Sequence, residues 1–277
     1  MKNIFCFCNQ KGGVGKTTTA VNLAALLAMQ GNHTLLIDMD SQANATSGLG
    51  EEKPTSLEST TYQLLVENKN PLPLIRKTRI EQLDLIPSNA DLAGVELEII
   101  KLDRREFILQ SNLHPMKDKY DFILLDCPPA LGLITVNSLV SSNYIIIPLQ
   151  CEYYALEGLG QLLPNVHLVQ KNLTPNLEIG GVVLTMADFR TNLTQQVIEE
   201  VKEFFKGKVF NTVIPRSVKL SEAPSFGQPA VLYDPQGRGA KSYQDVSKEF
   251  LERFLPVKPK IRVNTLEERE KVEDLTQ

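Results

Sequence analysis

Lys11-Gly12-Gly13-Val14-Gly15-Lys16-Thr17-Thr18 is the stretch from which this chain is best read. It follows a short apolar run, Ile4 to Cys8, with the character of a buried strand. It opens a segment, Thr17 to Gln30, that starts with hydroxyl residues suited to a helix N-terminus and stops at Gly31. A glycine-rich turn between a strand and a helix lets backbone N–H groups approach an anion closely, and the positive end of the helix adds to the attraction. Gly12, Gly13, Val14 and Gly15 would line a phosphate cradle, with Lys16 on the β- and γ-phosphates and the hydroxyls of Thr17 and Thr18 beside them. Thr17 would also ligate Mg²⁺. The strict pattern G-x-x-x-x-G-K-S/T is not met, because Gln10 stands where its first glycine belongs and Lys11 precedes the glycines instead.

Outward from this loop, short apolar runs alternate with segments of helical period. That alternation predicts an α/β fold, a mostly parallel twisted sheet flanked by helices on both faces. The expected strands are Ile4 to Cys8, Thr34 to Ile37, Leu83 to Ile86, Phe122 to Leu125, Tyr144 to Pro148, Ile179 to Leu184 and a short one near Val213. The expected helices are Thr17 to Gln30, Asp91 to Leu113, Glu157 to Lys171, Thr194 to Phe205 and Lys241 to Phe254. Residues 1–255 read as one domain. From Pro256 the chain turns into a charged tail, 256–277, with too few apolar residues to anchor it.

Two acidic positions fit the phosphate loop. Phe122-Ile123-Leu124-Leu125-Asp126 is an apolar strand ending in an acid, and strand C-termini in such sheets gather around the ligand, so Asp126 suits an outer Mg²⁺ ligand. In Leu35-Leu36-Ile37-Asp38-Met39-Asp40, residues two apart share a face. Asp40 is expected to orient an attacking water, and Asp38 to organise the loop or the metal shell. These features together predict a Mg²⁺-dependent ATP hydrolase.

The bulk composition sets limits. A chain of 277 residues with 42% hydrophobic and 22% charged residues is an ordinary globular composition. A net charge of −4 argues against coating nucleic acid by overall basicity but permits a local basic patch. No run approaches the ~20 apolar residues of a membrane span, and the apolar start is too short for a signal peptide, so a cytoplasmic protein is expected. The four cysteines, Cys6, Cys8, Cys127 and Cys151, lack metal-ligand spacing and read as small buried hydrophobes.

The lysine-led glycine loop, Asp38-Met39-Asp40-Ser41-Gln42-Ala43-Asn44 and Asp126-Cys127-Pro128-Pro129 together resemble the deviant Walker A P-loop ATPases. Gln150-Cys151-Glu152-Tyr153-Tyr154-Ala155-Leu156-Glu157-Gly158, Ile214-Pro215-Arg216 and Ser221-Glu222-Ala223-Pro224-Ser225 narrow the resemblance to the ParA partitioning proteins of the chromosomal Soj type. It runs from about Ile4 to Phe254. The resemblance implies that Lys11 reaches across an ATP-bound sandwich homodimer to the partner's phosphates. It implies that the dimer binds DNA without sequence specificity, through Arg190 and Lys219, in association with the nucleoid. It implies that a ParB-type centromere-binding partner stimulates hydrolysis. It also puts the adenine near Met186 and Pro215. Lys219 stands where many relatives carry arginine. A MinD-like membrane ATPase would end in a basic amphipathic helix, which the polar residues Glu267 to Gln277 do not supply. A relative of the nitrogenase iron protein would need thiolates paired at an interface, and a non-catalytic ATP switch would not need both Lys11 and Asp40.

Overall fold

The computed structural model describes residues 3–55, 59–66 and 71–255. The tail from Pro256, read above as an appendage, lies outside them.

The chain runs β1 (Ile4–Phe7), α1 (Lys16–Met29), β2 (Thr34–Asp38), α2 (Asn44–Gly48), α3 (Thr61–Val66), β3 (Arg76–Lys77), β4 (Leu83–Ile86), α4 (Val95–Ile99), α5 (Ile108–Leu113), β5 (Phe122–Asp126) and α6 (Leu133–Ser141). It continues with β6 (Tyr144–Gln150), α7 (Ala155–Asn172), β7 (Glu178–Thr185), α8 (Asn192–Phe205), α9 (Val218–Glu222), α10 (Ala230–Tyr233) and α11 (Arg238–Phe254). Seven strands form one sheet in the order β3-β4-β2-β5-β1-β6-β7, parallel throughout except for the β3–β4 pair. The phosphate-loop strand β1 sits between β5 and β6.

Alternation along β1 assigns the two layers. Ile4, Cys6 and Cys8 point into one core with residues of α3 to α8, and Phe5 and Phe7 point into the other with α1 and α11. On the second face Phe5 is ringed by Phe122, Tyr144, Phe250 and Phe254, at centroid separations of 4.7 to 6.0 Å. Burying Phe5 and Phe250 completely contributes about 2–3 kcal/mol each and ties α11 to the sheet centre. All four cysteines are free and buried, as their positions on apolar strands implied.

Two expected elements differ. The strand expected near Val213 is instead a pair of isolated parallel bridges, Val182 to Val209 and Ala187 to Pro215, and Pro215 has no N–H to extend a ladder. The helix expected over Asp91 to Leu113 is broken into short pieces that include α4 and α5. Gly94 separates the first pieces, and Arg104, at φ 54°, turns the chain before α5.

Candidate functional site: a cleft at the strand C-termini

The phosphate loop is shaped by three neighbours. Asn9 donates from Nδ2 to Pro148 O at 2.8 Å and accepts the Lys11 amide at 3.1 Å, fixing the start of the turn against β6. Thr185, the last residue of β7, donates from Oγ1 to Val14 O at 2.8 Å and holds its crest. Gly13 and Gly15 lie at φ 74° and 88°, where a side chain is strained, and Gly15 is the residue that launches α1. Val14 turns its side chain inward and is 1% exposed.

Lys16 folds back over the loop it follows. Its Nζ donates to Lys11 O at 3.0 Å, and burial pulls its pKa below the usual range against the opposing pull of Asp126. An ammonium so poorly solvated gains from an anion more than a solvent-facing one does. Gly12, Gly13, Gly15, Lys16, Thr17, Thr18, Asp40 and Met186 line a cleft of about 520 Å³ that Pro128 and Pro129 close on the far side. A second cavity of about 430 Å³ adjoins it and shares Gly15, Thr17, Thr18, Asn44 and Met186; Ile214, Pro215, Arg216, Leu220 and Tyr243 complete it. The two spaces form one trough, with Lys16 and Asp40 on the loop side, Ile214, Pro215 and Leu220 on the other, and Met186, at φ 53°, lining both.

The acids behave differently from one another. Asp38 and Asp126 are register partners on β2 and β5, both wholly buried. Asp38 accepts from Thr46 N at 2.8 Å and Thr46 Oγ1 at 2.7 Å on one oxygen, and from Asp40 N at 3.2 Å on the other. Its pKa is still raised to about 6, because burial outweighs those bonds. With both oxygens engaged, Asp38 fixes α2 and the Asp40 backbone. Asp126 is the opposite case: neither carboxylate oxygen has a well-formed hydrogen bond, and the Thr17 hydroxyl is close enough only to lower its pKa. Burial, then the Asp38 charge, pushes its pKa well above the carboxylate range, while the nearby Thr17 hydroxyl and Lys16 pull it down. Asp40, less buried than Asp38, accepts the Gln42 amide at 3.0 Å at the cleft wall. Among the described residues no three carboxylate, imidazole or thiol groups converge into a metal cage, so Mg²⁺ here would complete its shell from phosphate oxygens and water.

Several expected residues lie elsewhere. Lys11 does not line its own cleft; its half-exposed Nζ pairs with Glu152, at the start of the turn into α7. Arg190 extends into solvent, held in a two-pronged pair with Asp188 at 2.6 and 2.8 Å. Lys219 pairs with Glu222 at 2.9 Å and lies 5.4 Å from the centre of the Tyr233 ring. Asn9, Thr185 and Tyr243 escaped the reading of the sequence. Tyr243 meets Thr19 Oγ1 at 3.0 Å from 224 positions away, and no local pattern announces such a contact.

The family model described as "AAA domain" matches residues 2–179. The chain is 55% identical over 249 residues to the sporulation initiation inhibitor protein Soj of Bacillus subtilis, covering 90% of this chain and 98% of that one. It is 48% identical over 260 residues to the chromosome partitioning protein ParA of Myxococcus xanthus, covering 94% and 92%. A solved structure of cobyrinic acid a,c-diamide synthase from Mycobacterium smegmatis, with a bound ATP analogue and magnesium, superposes with a TM-score of 0.79 at 32% identity over 91% of this chain and 95% of that one. With a phosphate loop, a buried acid at the end of β5 and similarity along nearly the whole chain, this protein belongs to the Soj/ParA family of chromosome-partitioning ATPases.

Proposed function

We propose that the chain is a Mg²⁺-dependent ATPase that pairs face to face around ATP, binds DNA without regard to sequence, and is switched off that DNA when a ParB-type partner stimulates hydrolysis. The observation that carries the nucleotide part is Asp126, a wholly buried carboxylate with both oxygens unpartnered beside Lys16 and Thr17. Left so, it costs stability, and a cation brought in by a polyphosphate would relieve it. The residues therefore fit Mg²⁺. Thr17 would hold the ion directly and Asp126 through its outer shell, and the ion would neutralise charge developing on the phosphates.

The remaining steps belong to the chain's own groups. Gly12 to Gly15 direct backbone N–H groups into the cleft, and Lys16 balances phosphate charge. The trough beyond Met186, with Pro215 on its wall, accepts the base. Asp40 orients a water for in-line attack, and Asp38 keeps it in place through the Asp40 amide. Lys11 is exposed, near the mouth of the site and paired with an exposed acid, which leaves it available to a second copy once Glu152 releases it. A cation supplied in trans in this way contributes roughly 10³–10⁵ in rate in other phosphoryl-transfer systems.

The DNA part rests on Arg190, in the turn before α8, and Lys219, on α9; the Ala187 to Pro215 bridge joins the segments that lead into them, next to the base cavity. Such an activity would operate in the cytoplasm, on the nucleoid. A gel-shift series on duplex DNA with ATP, with ADP and without nucleotide tests the reading. Retention only with ATP is expected, together with phosphate release that rises when DNA and the partner are both added. Equal retention in all three states would refute it.

A further inference from the structure

The two candidate DNA cations share a feature that DNA binding does not need. Each is already neutralised by a carboxylate a few residues away. Asp188 receives Arg190 through Nε and Nη2, and Glu222 receives Lys219 and also the Tyr233 hydroxyl at 3.2 Å. The Arg190 turn and the segment leading into α9 are not separate. Arg216 N donates to Ala187 O at 3.0 Å, so the Asp188 turn and the Arg216–Glu222 segment make one continuous surface.

The formal charges named on that surface cancel. Arg190, Arg216 and Lys219 stand against Asp188, Glu222 and Asp234. Arg190 and, more weakly, Arg216 hold Asp188 down to about 2, and Glu222 and, more weakly, Asp234 push Lys219 above its usual value. A DNA phosphate that approaches Arg190 or Lys219 therefore displaces a carboxylate and exchanges one anion for another. A single exchange contributes little between solvent-exposed groups. Several made together contribute in proportion, because the contacts within one complex are intramolecular after the first.

We infer that Asp188 and Glu222 are internal counter-ions that set the threshold for nucleic-acid binding, neutralising Arg190 and Lys219 in a lone chain so that only the doubled surface of a pair retains DNA. This rests on the DNA reading above and adds to it the residues that make retention conditional. An acid on the far side of its cation lies ~7 Å from a bound phosphate, and at 0.1 M salt removing its charge strengthens binding roughly 1.6-fold. Each acid occurs twice in a pair, so each single variant gains about 2.7-fold and the double variant about sevenfold.

The test uses the full chain and a labelled 25-base-pair duplex of arbitrary sequence, with Asp188→Asn, Glu222→Gln and both together. The amides keep the shape of the side chains they replace. Glu81→Gln, an exposed acid beside β4 at the opposite sheet edge from β7, makes the same charge change as a control. The double variant is expected to bind about sevenfold more tightly with ATP, to show a steeper dependence on salt, and to retain DNA with ADP, where the parent does not. Binding within experimental error of the Glu81→Gln control at every salt concentration, while the parent binds with ATP, overturns the counter-ion inference alone. A parent that retains no duplex in any nucleotide state, or one whose ATP-dependent retention Arg190→Ala leaves unchanged, overturns the DNA reading and this inference with it. The single variants are measured separately, so a folding failure in the double variant leaves both outcomes readable.

Discussion

Replacing Asp38 with asparagine should invert its effect on stability between acid and neutral pH. Asp38 is wholly buried, and burial raises its pKa from 3.8 to about 6 even though Thr46 and the Asp40 amide favour its charged form. An acid whose pKa is higher in the folded state binds more protons there than in the unfolded chain, so stability falls as pH rises through the window between the two values. At about 1.4 kcal/mol per pH unit, the two-unit gap makes a burden of about 3 kcal/mol, fully present above pH 7 and nearly absent below pH 4. Asparagine carries no such burden. Its oxygen keeps the two Thr46 donors, but its NH₂ faces the Asp40 amide and forfeits one hydrogen bond, a loss of about 1 kcal/mol. Nucleotide-free Asp38→Asn is thus expected to be less stable than the parent near pH 4 and more stable by about 2 kcal/mol at pH 7. Relief of its register neighbour Asp126 adds to the same trend. Urea denaturation of both proteins across pH 4 to 7.5 measures the difference directly. A difference that stays constant within about 0.5 kcal/mol over that range would refute the reasoning.

Three further outcomes bear on the site. Asp126→Asn should raise the melting temperature of the nucleotide-free protein at pH 7.5 and yet abolish the Mg²⁺-dependent part of ATP affinity, read by calorimetry with and without EDTA. Asp40→Ala should retain ATP and remain paired on a sizing column while single-turnover hydrolysis falls at least about 10²-fold; normal turnover would remove Asp40 from its role. Gly15→Ala forces a Cβ onto a residue at φ 88° and should cost about 1–2 kcal/mol in the loop, lowering nucleotide affinity roughly tenfold in a fluorescent-analogue titration.

The sheet was legible because strands buried on both faces read as unbroken apolar runs, and β1, β2, β4, β5, β6 and β7 all appear within a residue or two of expectation. β3 was not, since Arg76–Lys77 is a two-residue edge with no periodicity to detect. α6 was missed for a different reason. Thr135, Asn137, Ser138 and Ser141 look like loop residues, but they are buried and satisfied, with Ser138 and Ser141 bonding back to carbonyls four positions earlier. At the site, the local motif gave the glycines, Lys16 and Thr17. The contrast between an engaged Asp38 and an unpartnered Asp126 depends on which neighbour each oxygen meets, and the Lys11–Glu152 pair joins positions 141 residues apart. Neither is written in a local pattern.

The trough that begins at the glycine loop is closed by Tyr243, near the opposite end of the polypeptide. A ribosome extruding this protein thus delivers the glycine loop first, the Pro148 and Thr185 contacts that hold it later, and the Tyr243 wall of the base cavity last. Until α11 emerges and docks on α1, the nascent chain has a loop but no complete receptor for nucleotide. Completing the nucleotide site therefore requires α1 and α11, more than 200 residues apart in sequence, to pack together.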